Sequence, residues 1–195
     1  MAAKSTLLNM VTCLTAVCLV CSAILAGLYA LTAEPIANAA QKALVESISK
    51  VLPEGGELSE SQSCEADGVE EYYLLSDEQG SPLAYAVKTS TNGFGGTLSL
   101  MVGVLPDGTV YNTSVLAHAE TPGLGAKCAE DESAFRQQFR NFAGKLLVKK
   151  DGGDIDAITA STITTRAFLK AVNQAYAAYR GNDADGASGA SIQKQ

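Results

Sequence analysis

The sequence predicts an α+β fold: one N-terminal transmembrane helix, followed by a domain in which helices pack on a mostly antiparallel sheet. Three observations predict it. Residues 5–33 carry no charged side chain. Four β-branched and aromatic runs follow at short spacing, separated by Gly, Pro, Asn or Asp. Two later segments carry apolar residues at helical spacing. The strands come as a block instead of alternating with helices, which favours an antiparallel sheet over a doubly wound one.

In chain order, residues 7–31 read LLNMVTCLTAVCLVCSAILAGLYAL. As a helix this run is long enough to cross roughly 30 Å of hydrocarbon with some tilt. Small residues around Ala37 and Ala39 resemble a signal-peptide cleavage site. The apolar run, however, far exceeds the roughly 7–15 residues of a signal h-region, so a retained anchor is expected. Lys4 precedes the helix and Glu34 is the first charge after it. By the positive-inside rule, residues 1–6 then lie in the cytoplasm and the domain, residues 32–180, lies outside.

Pro35 is expected to end the membrane helix. Residues 36–52, with Leu44, Ile48, Val51 and Leu52 at amphipathic spacing, should form a separate helix linking anchor to domain. Residues 53–68, rich in Gly, Ser and Glu, read as a surface loop. Strands are expected at 72–76, 83–89, 97–105 and 109–117, with Pro106, Asp107 and Gly108 closing a tight hairpin. A helix opened by Ser133 should run to residue 142 with Phe135, Phe139 and Phe142 on one face, followed by a short strand over 146–150. The last helix, 164–180, presents Phe168, Ala171, Val172, Ala175 and Tyr179 as its apolar stripe. Residues 181–195 offer almost nothing to bury and are expected to be disordered.

Composition narrows the function. The 195 residues leave room for the membrane segment and one domain of ordinary size. With 21 Asp and Glu against 14 Lys and Arg, the chain lacks the basic footprint of a nucleic-acid binder. His118 is its one histidine, and no spaced set of His, Cys and carboxylates suits zinc or iron. No metal is expected, and redox chemistry would need an organic cofactor. Cys13, Cys18 and Cys21 fall in the apolar run, where thiols act as small apolar side chains. Cys64 and Cys128 could pair in an oxidising compartment, a point that spacing leaves open. Gly93, Gly95 and Gly96 lack the GxGxxG spacing and precede a strand instead of a helix, which argues against a dinucleotide fold.

The chemically suggestive segment is DAITASTITT, Asp156 to Thr165, which puts five hydroxyl side chains at the entrance to an amphipathic helix. First-turn amides lack intrahelical partners and sit at the positive end of the helix dipole, so a phosphate would bind there favourably. An ordinary N-cap after a β-branched stretch is the alternative that spacing leaves standing. A second stretch, HAETPGLGAK from His118 to Lys127, contains a Gly and Pro turn that lets a flat ring approach the backbone closely.

The first segment resembles the flavinylation motif of the G subunit of the Rnf ion-translocating electron transport complex and of the related C subunit of the sodium-pumping NADH:quinone reductase, and the second resembles a segment of the Rnf G subunit. The family pattern runs Asp, two variable residues, Ser or Thr, Gly, Ala, Thr, with FMN esterified through its phosphate to the last threonine. Asp156 matches the aspartate, Thr159 the Ser/Thr position and Thr162 the flavin-bearing threonine. Ala160 stands where the family has Gly, and Ser161 where it has Ala. HAETPGLGAK matches the His-x-Glu-Thr-Pro-Gly-Leu-Gly-x-Lys string of the Rnf protein.

The resemblance implies an FMN-binding domain carrying covalent FMN on Thr162. Thr159, Ser161, Ile163 and Thr164 would lie about the phosphate, and Glu120, Thr121, Gly123, Leu124 and Gly125 would pack on the ring or ribityl chain. Lys127 would pair with the phosphate or lie solvated at the surface. His118 is read as structural or as a hydrogen-bond partner at the flavin edge, and no catalytic residue is expected. The implied role is an electron-carrying subunit of a translocase that couples ferredoxin:NAD oxidoreduction to ion movement across the bacterial inner membrane. Its partners would be the other Rnf subunits, a flavin transferase and membrane lipid, with no nucleic acid. The quinone-reductase C subunit and a cofactor-free membrane-anchored assembly module are the alternatives. A hydrolase using Ser161 lacks a base and a GxSxG elbow.

Overall fold

A computed structural model describes residues 7–63 and 66–187. The chain forms two units, Met1–Ala43 and Leu44–Gln195. Helix α1, Leu7–Val51, makes up the first and continues into the second. Among the described residues it is the one helix long and apolar enough to cross a membrane. Its leucines, valines and isoleucines through Leu31 are exposed. Thr12, Thr15 and Thr32 each donate to the carbonyl four residues back at 2.9 Å, so these hydroxyls need no water.

Pro35 lies inside α1, contrary to the expected break, and the helix predicted over 36–52 is its continuation. Proline removes one N–H and crowds one carbonyl, but the bonds on either side can carry the helix past it.

The second unit is built on five antiparallel strands in the order β1-β2-β3-β4-β5. They are β1 Glu57–Leu58, β2 Val69–Ser76, β3 Pro82–Asn92, β4 Thr97–Val104 and β5 Val110–Ala117. The expected meander is present, and β1 adds a short edge inside the segment read as loop. Asp77 Oδ1 accepts from Gln79 N and Ser81 N at 2.9 and 2.8 Å, and Asp107 Oδ1 accepts from Thr109 N at 2.8 Å, which closes two of the turns.

Two further helices follow, α2 Ala134–Gln137 and α3 Thr162–Ala187. Side chains alternate across the sheet. Leu98, Leu100, Val102 and Val104 of β4 share a core with Phe168, Ala171, Val172 and Ala175 of α3. Met101, with Ala84 and Ala86 of β3, packs on the other face against Ile48, Val51 and Leu52. Small residues let that segment come close: a Cβ on Gly103 would stand 1.8 Å from Val51 O. Tyr179 donates to Pro106 O at 2.7 Å and anchors α3 over the β4–β5 turn.

Three expectations change. Ser133 caps α2 as expected, accepting from Arg136 N, but the helix stops at Gln137. Asn141 turns left-handed with φ 52°, and Phe142 exchanges both backbone hydrogen bonds with Val110 at 2.9 Å. The phenylalanines still cluster, with Phe135 and Phe139 centroids 5.1 and 5.0 Å from Phe168. Residues 146–150 form one isolated bridge, Val148 to Ile155, because Gly152 with φ 80° folds the chain back at once. Helix α3 runs to Ala187, so residues 181–187 of the expected disordered tail are helical. An established helix grows one bond per residue, and Gly181 costs it only about 1 kcal/mol. The other tail residues, and Cys64 with its suggested pairing, lie outside the described residues. Cys128 is fully buried, and burial, aided by the nearby Glu120, pushes its thiol up to about 11.

Candidate functional site

The route by which the chain enters α3 shapes the site. Ser161 N donates to Ile158 O at 3.0 Å, closing a tight turn over residues 158–161. Ala160, third in that turn, has φ 60°. A residue with a Cβ gives up roughly 1–2 kcal/mol in this left-handed region, which glycine enters freely. The glycine of the motif therefore answers a backbone requirement that Ala160 meets under strain.

Five hydroxyls enter the helix and the fold sorts them. Thr165 Oγ1 donates to Ser161 O at 2.9 Å and accepts from Ile158 N at 3.1 Å, pinning the turn to the helix. Thr164 Oγ1 donates to Glu120 Oε2 at 2.7 Å. Both threonines are fully buried. Thr159 is exposed on another surface. Ser161 and Thr162 face a cleft, and neither hydroxyl takes part in the bonds that fix its neighbours. Ser161 is 8% exposed, and Thr162 is the more open of the two.

The two motifs meet at Glu120, a buried carboxylate 44 positions before Thr164. Its Oε1 accepts from Phe94 N at 2.8 Å and Gly95 N at 3.4 Å, while its own amide donates to His118 Nδ1 at 3.2 Å. One side chain thus ties together the β3–β4 turn, the loop after β5 and the first turn of α3. Glycine makes this closeness feasible. A Cβ on Gly93 would stand 2.0 Å from Glu120 Oε1, and one on Gly125 2.5 Å from Oε2.

Beside this junction lies a cleft of about 440 Å³, lined by Phe94, Glu120, Thr121, Leu124, Gly125 and residues 160–164. Its size falls in the range of small-molecule sites. The first-turn amides of α3 supply donors and a positive dipole end. Phe94, Leu124 and Ile163 form an exposed apolar rim.

Residues 93–177 match the FMN-binding domain family, a span that opens at the Gly93 turn and takes in both motifs. The G subunit of a proton-translocating ferredoxin:NAD(+) oxidoreductase complex from Clostridium ljungdahlii is 34% identical over 166 residues, covering 83% of this chain and 85% of that protein. The chain belongs to the family of G subunits of ion-translocating oxidoreductase complexes. Relatives from Shewanella baltica and Vibrio cholerae are 32% and 34% identical over 85% and 75% of this chain, and over 86% and 78% of theirs. The crystal structure of Shewanella oneidensis NqrC is similar at 20% identity and a TM-score of 0.45, over 60% of this chain and 63% of that one. That likeness is too distant to support the quinone-reductase alternative.

Within this member of the family, Glu120, Thr121, Leu124, Gly125, Ser161, Thr162, Ile163 and Thr164 line the cleft as a group. Thr159 and Lys127 do not. They line a neighbouring depression of about 480 Å³ with Asp156 and Gln138. Asp156 pairs there with Lys149 at 2.6 Å, and its amide donates to Gln138 Oε1 at 2.7 Å. The motif aspartate therefore braces the approach to the turn. Gly123, with φ 75°, shapes the ThrProGlyLeuGly turn without lining the cleft. His118 is exposed and acts through its bond to Glu120 N. Sequence reasoning missed Phe94 and Ala160 as cleft residues. An aromatic residue set among Gly93, Gly95 and Gly96 was the available signal for Phe94.

Proposed function

We propose that this chain carries FMN on Thr162 through a phosphoester and serves as an electron carrier in a membrane-bound oxidoreductase complex. The observation that carries this reading is Thr162 itself. It is free of the bonds that engage Thr164 and Thr165, it is more open than Ser161, the other cleft hydroxyl at the entry to α3 that those bonds leave unengaged, and it opens α3 where unpaired amides favour a phosphate.

The residues fit the group. The first-turn amides would hold its phosphate, and the apolar rim of Phe94, Leu124 and Ile163 would meet its flat ring. Loading would form the bond from Thr162 Oγ1 to phosphorus and break the phosphorus–oxygen bond to the leaving group of a flavin nucleotide donor held by the transferase; that group would depart with the hydroxyl proton, for a net gain of FMN less one water. Bound FMN supplies the one- and two-electron chemistry, while the chain positions it and sets its surroundings. Helix α1 anchors the chain in the membrane. The charges at Lys4 and Glu34 support an extracytoplasmic domain, where a flavin transferase would load it and the other subunits of the complex would exchange electrons with it.

The test is to co-express the full chain with its flavin transferase and compare wild type with Thr162→Ala by ultraviolet-illuminated denaturing gel and intact mass. A fluorescent band and the mass gain, both absent from the variant, are expected. A dark, unmodified wild type from a host that flavinylates a control protein overturns the assignment and favours the cofactor-free module.

A further inference from the structure

The loop Gly93–Gly96 between β3 and β4 is unusually constrained for a surface turn. Gly93 N donates to Gly96 O at 2.8 Å, and the amides of Phe94 and Gly95 both donate to the buried carboxylate of Glu120. A Cβ on Gly95 would lie 2.0 Å from Ala119 O. Yet this fixed backbone holds the Phe94 side chain 69% exposed, on the lining of the cleft that contains Thr162. Leu124 and Ile163, on two other elements, are 43% and 58% exposed on the same lining. Among the described residues no lysine or arginine lines the cleft, so its rim offers apolar and π surface beside the anion-favouring start of α3. Such a layout suits a ligand with a phosphate at one end and a planar heterocycle at the other, because a flat ring covers an aromatic face by offset stacking or edge contact.

We infer that Phe94 is the ring-contacting residue of this site, held by Glu120 so that its phenyl group packs on the isoalloxazine of a flavin tethered at Thr162. The inference rests on the Thr162 reading and adds to it where the ring lies and which side chain receives it. Glu120 is then a positioning residue acting through the Phe94 backbone.

The experiment uses the full chain in detergent, loaded by the transferase and checked by intact mass. Flavin emission is read in the folded protein and again after denaturation for wild type, Phe94→Trp, Phe94→Ala and Leu83→Trp. Indole in contact with isoalloxazine quenches its emission, so loaded Phe94→Trp should be several-fold dimmer than wild type and recover on denaturation. Leu83, at the far end of β3 about 30 Å along the strand, is an exposed control whose tryptophan should change little. Loaded Phe94→Ala should become more sensitive to iodide. Phe94→Trp as bright as the Leu83→Trp control overturns the inference while leaving Thr162 modified. If Phe94→Trp does not load, wild-type iodide sensitivity in Phe94→Ala overturns it instead. A wild type with no mass gain removes the Thr162 reading and this inference together.

Discussion

Thr164 and Thr165 lie one helical turn from Ser161 and Thr162, and the two pairs of hydroxyls have opposite fates. The first pair is buried and spent on fixed partners, Glu120 for Thr164 and the Ile158 and Ser161 backbone for Thr165. The second pair faces a cleft and takes no part in those bonds. Residue type does not separate them, since three of the four are threonine. Partners do, because Glu120 reaches Thr164 and the backbone of the Ile158–Ser161 turn reaches Thr165. The contrast teaches that within this stretch the fold spends two hydroxyls on holding the turn and leaves Thr162 as one it can spare.

Substitutions that break the buried side should cost stability and leave Thr162 chemically intact. The largest effect is expected for Glu120→Ala, which strips partners from Thr164 Oγ1 and from the Phe94 amide in a buried place. A loss of about 2–3 kcal/mol should follow, seen as a thermal midpoint lower by about 5–10 °C. Glu120→Gln keeps the shape and should lose less. Thr165→Val comes next. It preserves volume but leaves the Ile158 amide without its acceptor, and should cost about 1–2 kcal/mol in denaturant unfolding.

Ala160→Gly acts in the opposite sense. It relieves the left-handed strain at φ 60° and returns part of that gain as unfolded-chain entropy, for a net stabilisation of about 0.5–1 kcal/mol. Flavinylation at least as complete as in wild type should accompany it in the intact mass. The smallest effect on stability belongs to Thr162→Ala. It should stay within about 0.5 kcal/mol of wild type, because no structural bond depends on that hydroxyl. A large loss there would put Thr162 with the buried pair and erase the contrast.

Much of the fold was legible because its signals are local. Alternating β-branched runs and the ProAspGly turn marked the meander, and the stripe from Phe168 to Tyr179 marked α3 and its buried face. Failures came where a distant partner overruled a local pattern. Phe142 continues the spacing of Phe135 and Phe139, but its backbone is claimed by Val110. Ile48 and Val51 looked like part of a linker, yet they complete the second face of the sheet over Ala84, Ala86 and Gly103. In the site, the two motifs could be read as strings and their meeting at Glu120 could not.

From the chain of residues alone came the apolar helix, the sheet's connectivity, the phosphate-favouring entry to α3 and the resemblance that singled out Thr162. Each depends on periodicity, turn chemistry or a contiguous motif, all of which act within a few neighbouring residues. Folding in three dimensions settled which hydroxyls are spent and which is open, why position 160 favours glycine, and how Glu120 sets Phe94 on the rim of the cleft. The engagement of Thr164 and the placing of Phe94 depend on a carboxylate meeting groups 26 and 44 positions away. Such distances close only when the sheet and α3 pack, so no window along the chain contains them.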